Sequence, residues 1–269
     1  MKYLIALDLE GVGGVVGVPY SGLKKDSEAW YQARAQAVLE VNAVAKALFD
    51  TGASLVALWD NHGGGGNLDY SLLDERIELV VPDKTKIRQA FGKDYGFDAM
   101  FFLGYHAMEG TIGAVLAHTF NSNEIQYMKI NGKLVGEIEI DKCYAGENGY
   151  APVFFAGDDK ACLEARAAIP GIVTVETKKG LSRNKAIFKD NESLLSEIYE
   201  KAKLATKAET EVQKFRFPLA FEVRYTRMET AEKALHEALS DGVVASYQGD
   251  AHTVLFVVEN IRQFDAIRC

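Results

Sequence analysis

The chain has 269 residues, 48% of them hydrophobic, with 30 Lys plus Arg against 38 Asp plus Glu and a formal charge of −8. This composition excludes a disordered chain and a disulfide scaffold, and the length allows one large or two modest domains that can bury a core unaided. The acidic surplus excludes a nucleic-acid partner, because duplex binding rests on a basic patch that releases phosphate counterions.

Tyr3 to Leu7 is a short apolar run ending in Asp8-Leu9-Glu10-Gly11 and a glycine-rich loop, the profile of a buried strand leaving a sheet. From Asp26 to Asp50, Trp30, Ala33, Ala37, Val38, Val41, Ala45 and Leu48 recur at helical spacing, with Asp26 or Ser27 as N-cap and Gly52 as the stop. A second strand, Ser54 to Leu58, runs into Trp59-Asp60-Asn61-His62 and four glycines, and a third, Ala99 to Leu103, runs into Gly104-Tyr105-His106. Strand–helix–strand alternation predicts a parallel sheet. Gln126 to Ile130, Asn131-Gly132 and Lys133 onward predict a hairpin, since Asn-Gly suits the φ > 0 pair of a type I′ turn. Val153 to Ala156, a helix to Ala168 and a strand at Val173 to Glu176 follow, then a charged helix over about 192–211. The order then becomes strand (Ala220 to Tyr225), helix (Thr230 to Leu239) and strand (Thr253 to Glu259). The expected fold class is α/β, a mostly parallel sheet flanked by helices, with a catalytic unit over residues 1–209 and a smaller α+β unit over 210–269.

Cys143, Cys162 and Cys269 form an odd set without CxxC spacing and read as free thiols of a reducing cytosol. Asp8 and Glu10 cut the first apolar run short of a signal peptide, and no apolar stretch approaches the ~18 residues of a membrane span. The expected setting is cytoplasmic, with no membrane partner.

Ligands of open parallel sheets bind beyond the carboxyl ends of the strands. Three predicted strands end there in residues able to hold a metal: Asp8 and Glu10, Asp60 and His62, and His106. A period of two puts Asp8 and Glu10 on one side of the first strand, a costly pairing unless a cation sits between them. Carboxylates mixed with imidazoles suit Zn²⁺, Mn²⁺ or Fe²⁺, whereas an all-oxygen set would suit Mg²⁺ or Ca²⁺. Singly, a strand-end Asp is ordinarily a turn former and a lone His a satisfied surface residue; their convergence carries the reading. Gly63 to Gly66 lack the Lys-Ser/Thr pair of a P-loop, and Gly11 to Gly17 lack the dinucleotide register. The basic run from Lys178 to Lys189 reads as a solvated face, within which Arg183 could meet a substrate carboxylate bidentately. His236 is assigned no role, and His252 reads as structural.

Asp8-x-Glu10-Gly11, Asp60-Asn61-His62-Gly63 and Gly104-Tyr105-His106-Ala107 together resemble the DppA-like metal-dependent D-aminopeptidase family. Ala117-His118-Thr119, Asn131-Gly132, Val135-Gly136-Glu137, Ala156-Gly157-Asp158-Asp159 and Leu181-Ser182-Arg183 follow in the family's order, so the resemblance covers nearly 190 residues. It implies two zinc ions per subunit held by Asp8, Glu10, His62, His106 and Glu137, with Asp8 bridging. It also implies His118 as a catalytic histidine outside the ligand set, a short peptide with a free N-terminus and a D-residue as substrate, and a homo-oligomer such as a decameric ring. The residues alone do not single out Glu137, which shares a predicted face with Glu139 and Asp141. Ala6 and Asn61 stand where the family pattern has Ser. The alternatives are a haloacid-dehalogenase-like phosphatase, with Asp8 as nucleophile and Asp158 and Asp159 as Mg²⁺ ligands, and a non-catalytic metal- or peptide-binding module.

Overall fold

The structure is a computed structural model that describes residues 1–81, 91–92 and 95–267. The chain runs through β1 (Lys2–Leu7), α1 (Glu28–Asp50), β2 (Leu55–Asp60), β3 (Glu78–Val80) and β4 (Ala99–Tyr105). It continues with β5 (Ile125–Ile130), β6 (Lys133–Val135), α2 (Glu137–Glu147), β7 (Ala151–Asp158), α3 (Asp159–Ala168), β8 (Val173–Ser182), β9 (Lys185–Phe188) and α4 (Asn191–Ala205). Then come β10 (Leu219–Tyr225), α5 (Met228–Ser240), β11 (Val244–Gln248), β12 (Asp250–Val258) and α6 (Ile261–Ala266).

A seven-stranded sheet has the order β3-β2-β1-β4-β7-β8-β9 and is parallel except for β9. This is the expected α/β class. Alternation along the strands sorts its side chains into two cores. Ile5, Leu7, Val56, Leu58, Phe101 and Leu103 pack under α1 and α4, while Leu4, Ala6, Ala57, Trp59, Met100 and Phe102 face the other way. Both faces are covered, which is why these strands read as continuous apolar runs. Helix α1 buries Trp30, Ala33, Ala37, Val41, Ala45 and Leu48, and the Ser27 hydroxyl accepts from the Trp30 N–H as its N-cap.

A five-stranded antiparallel sheet, β11-β12-β10-β5-β6, covers the second face. Phe221, Val223, Val254 and Phe256 share one hydrophobic cluster with Leu4, Phe102 and Phe155 of the large sheet. The expected division near residue 210 falls between α4 and β10, and the small sheet draws strands from both sides of it. The β5–β6 hairpin turns at Asn131 and Gly132, both at positive φ, as the Asn-Gly pair predicts.

Two expectations need correction. The strand beginning at Lys133 stops at Val135, and residues 137–147 are helical. Gly136 breaks the strand and serves as N-cap, and Ile138, Ile140, Tyr144 and Ala145 are buried by α2. The run from Lys178 to Lys189 is not wholly a solvated face, because Lys178 is 1% exposed. A register shift in the β7–β8 pairing, between Gly157↔Glu176 and Asp158↔Lys178, accompanies this inward position. Cys143 and Cys162 are free thiols, and Cys269 lies outside the described residues. No helix among the described residues is long and apolar enough to cross a membrane.

Candidate metal centre

β1, β2 and β4 are neighbours in the sheet, so the turns leaving their carboxyl ends meet at one place. Close backbone packing makes this possible. Gly104 has φ +71°, and a Cβ there would lie 2.1 Å from the Asp8 carbonyl oxygen. Across the same seam, a Cβ on Gly11 would lie 2.0 Å from the Tyr105 carbonyl oxygen. Only glycine lets the turns after β1 and β4 approach so nearly.

Asp8 and Glu10 both reach His62, whose Nδ1 is 3.0 Å from Asp8 Oδ1 and 3.0 Å from Glu10 Oε2. The other oxygen of Asp8, Oδ2, lies 3.2 Å from His106 Nε2, and Glu137 Oε1 lies 3.3 Å from that same nitrogen. Asp8 thus joins two histidines from different strands. Glu137 opens α2, where the helix dipole favours a carboxylate, and its Oε1 accepts from the Phe120 N–H at 2.7 Å. His118 stacks on His106 with ring centroids 3.9 Å apart, and its Nε2 is 4.0 Å from Glu137 Oε1. The five residues expected as ligands and His118 therefore lie in one cluster, and all but the fully buried His106 line one cavity of about 1710 Å³.

The charges of the cluster depend on one another. Burial alone would push His62 and His106 down, but Glu10 and Asp8 around the first and Glu137 and Asp8 around the second hold both well above the ordinary histidine value. Burial opposes ionisation of Glu10, yet the histidines, His62 foremost, hold its carboxyl well below the usual range. Glu137 is likewise lowered against burial, chiefly by His106.

The donor set can be tested for its fit to a metal. His106 Nδ1 faces the Ala107 carbonyl oxygen at 3.0 Å, and because a carbonyl only accepts, Nδ1 carries the proton. Nε2 is then the nitrogen available to a metal. It is buried, has no hydrogen-bond partner and faces two carboxylate oxygens, an arrangement that calls for a cation. Candidate ligand atoms of Asp8, Glu10 and His106 lie within 4.8 Å of one another, as do those of His106, His118 and Glu137. Carboxylates mixed with imidazoles fit zinc. His118 belongs geometrically to the second group, so its assignment outside the ligand set requires a test of its own.

Further side chains orient these groups. Asn61, where the family pattern has Ser, sends Nδ2 to Tyr105 Oη at 2.9 Å and towards Asp141 Oδ2 at 3.4 Å, and Tyr105 Oη donates to Asp141 at 2.9 Å. One network thereby braces the residues preceding both His62 and His106. Glu139 pairs with Lys133 and Lys142, so of the three acids sharing a predicted strand face, Glu137 alone enters the cluster. Gly63 to Gly66 close a turn rather than cradle a phosphate. Gly63, Gly65 and Gly66 have positive φ, and Asn67 ties the loop back to Asp60 through its N–H at 2.6 Å and to the His62 carbonyl through Nδ2 at 2.7 Å. Ala6 is fully buried in the sheet, within the hydrophobic cluster that holds Leu4 and Phe102.

Behind the β1 turn, Lys178 Nζ donates to the carbonyls of Glu10 at 2.6 Å and Val12 at 2.7 Å, and Thr177 Oγ1 donates to that of Gly11 at 2.5 Å. Glu40 Oε1 accepts from the Gly13 N–H at 2.7 Å. Sequence reading passes over this clamp because Lys178 enters the interior only through the shifted register. Burial pulls Lys178 down to about 8 and pushes Glu40 up to about 7. The folded chain therefore binds the Glu40 proton more tightly than the unfolded chain does, and the stability gained below the ordinary glutamate value is lost as pH rises to about 7. A Glu40→Gln variant does not titrate there. Its melting temperature relative to wild type is expected to climb between pH 4.5 and 7 and level off above, a span on the order of 3 kcal/mol. Parallel melting curves across that window would contradict the assignment.

The residues required by the phosphatase alternative are committed elsewhere. Asp158 caps α3 through the N–H groups of Lys160 and Ala161 and accepts from the Val115 N–H, while Asp159 accepts from the Gly180 N–H. His252 Nδ1 bonds the Tyr225 carbonyl, in keeping with a structural role, and His236 lies apart on α5.

The profile of the D-aminopeptidase family M55 matches residues 1–266. A curated D-aminopeptidase of Bacillus subtilis (strain 168) is 29% identical over 184 residues, a stretch spanning 68% of this chain and 66% of that protein, just under two thirds of its length. A solved structure, the Zn-dependent D-aminopeptidase DppA from Bacillus subtilis, described as a self-compartmentalizing protease, is similar with a TM-score of 0.86. That match has 23% identity and covers 99% of this chain and 94% of the other, which establishes a shared fold.

Proposed function

The chain belongs to the D-aminopeptidase family M55, and from that premise we propose that it is a zinc-dependent aminopeptidase cleaving short peptides that begin with a free amino group on a D-residue. The observation that carries this reading is the convergence of Asp8, Glu10, His62, His106 and Glu137 in one cluster, with Asp8 and Glu137 oxygens facing the buried His106 Nε2. These five residues would hold two zinc ions, with Asp8 shared between them. When bound, zinc supplies Lewis acidity towards the scissile carbonyl and lowers the pKa of water to the neutral range. The carboxylates would offset the zinc charge and accept hydrogen bonds from the substrate's amino group. His118 Nδ1 faces the Leu116 carbonyl oxygen at 2.9 Å and so keeps its proton, which leaves Nε2 to take a proton and deliver it to the departing amine. The cavity wall supplies the asymmetry that stereochemical choice requires, and the D-preference rests on the family.

The self-compartmentalizing relative supports enclosure of this site within a homo-oligomer, and the family resemblance implies a ring of ten. Light scattering should then give a mass well above the 29.6 kDa of one chain.

Zinc-loaded protein offered D-alanylglycine, L-alanylglycine and N-acetyl-D-alanylglycine should hydrolyse the first fastest and leave the acetylated peptide intact. Equal cleavage of the acetylated peptide, or no cleavage of any, would contradict the reading.

A further inference from the structure

We propose that Arg183 forms a carboxylate-recognition subsite that reads the C-terminus of the substrate, so that the enzyme prefers dipeptides with a free terminal carboxylate. This inference rests on the aminopeptidase reading above and specifies the far end of its substrate.

Arg183 lies in the turn between β8 and β9 and lines the same cavity as Asp8, Glu10, His62, His118 and Glu137. Its turn is fastened to the loop that carries His118. The Arg183 carbonyl accepts from the Leu116 N–H at 2.9 Å, one guanidinium nitrogen donates to the Ala117 carbonyl, and Asn184 Nδ2 bonds the Val16 carbonyl at 2.8 Å. His118 Nδ1 is held by the carbonyl of Leu116. The imidazole and the guanidinium are therefore both anchored on the tripeptide Leu116-Ala117-His118, and their separation is set by local backbone.

A guanidinium carries five N–H donors in a planar fork. The Ala117 carbonyl takes from Nη1, and Arg183 forms no ion pair among the described residues. The remaining donors suit a bidentate carboxylate. In a dipeptide the terminal carboxylate carbon follows the scissile carbonyl carbon by three bonds of about 1.33, 1.46 and 1.52 Å, whereas each further residue adds up to about 3.3–3.6 Å. The guanidinium is held at the carbonyl of the residue before His118, and we assign it to the nearer, dipeptide terminus.

Charge and volume support the assignment. The terminal carboxylate of a zwitterion carries a full negative charge, and the Arg183 guanidinium is a cation on the cavity wall able to offset it. A cavity of about 1710 Å³ exceeds the roughly 300–1,000 Å³ typical of small-molecule sites, so its walls alone do not limit peptide length. A fixed charge does.

The test compares D-alanylglycine with its C-terminal amide on zinc-loaded protein, reading turnover and calorimetric binding for wild type, Arg183→Gln, Arg183→Lys and Arg262→Ala. Gln removes the charge and keeps a neutral N–H, and the amide substrate controls for loss of the Ala117 contact. Wild type should favour the acid, and Arg183→Gln should raise KM for the acid by about 10- to 100-fold with the amide almost unchanged. Lys should restore part of the preference. Equal losses on acid and amide would make Arg183 a mere support of the His118 loop and overturn the subsite. So would a wild type indifferent to the carboxylate, or an acid-selective loss in Arg262→Ala, a second cationic residue of the cavity wall. Acid-selective binding lost in Arg183→Gln, without hydrolysis of either peptide by wild type, would support the subsite and refute the aminopeptidase reading.

Discussion

Replacing His106 with alanine is expected to strip the protein of zinc and to lower kcat/KM by about 10³-fold or more. His106 is 3% exposed and belongs to both groups of candidate ligand atoms, so its loss affects the Asp8–Glu10 side and the Glu137 side together. Asp8 and Glu137 would then face each other without the imidazole that now separates them. Two buried carboxylates left without that partner should also destabilise the metal-free protein by about 3 kcal/mol near neutral pH. Elemental analysis beside urea denaturation measures both effects. Full zinc occupancy in the variant would mean that the strand-end cluster is not the metal site.

His118 should behave differently. His118→Ala is expected to lower kcat by about 10²- to 10⁴-fold, the range for loss of a general acid–base group, while zinc stays bound through Asp8, Glu10, His62, His106 and Glu137. The loss should be smaller for D-alanine p-nitroanilide than for D-alanylglycine, because a better leaving group needs less protonation. Loss of one zinc equivalent in this variant would instead make His118 a ligand, as its place beside His106 and Glu137 allows.

Much of the site could be read from the chain because its residues stand at strand ends. Asp8, His62 and His106 each follow an apolar run, and the β2-β1-β4 order brings those ends side by side. Resemblance added Glu137 and His118. Their place depends on α2 and on the 116–120 loop, and neither has a local signature. From Glu137 to Asp141 the charged and apolar residues alternate with a period of two, so the segment reads as a continuation of the strand; Gly136 and the burial of Ile138 and Tyr144 make it helical. Lys178 departs from the expected solvated face for a related reason, since a register shift reverses the direction that its position in the strand implies. The small sheet joins residues 125–135 to 219–258, a pairing across about a hundred residues that no local pattern encodes.

The most direct test of the central claim is anomalous diffraction at the zinc edge from crystals of the protein purified without added chelator or affinity tag. The account predicts two peaks in the cluster, flanked by Asp8, Glu10, His62, His106 and Glu137, with Asp8 between them. No peak there after zinc soaking, with the His62–Asp8 and His106–Glu137 pairs still in place, would contradict it.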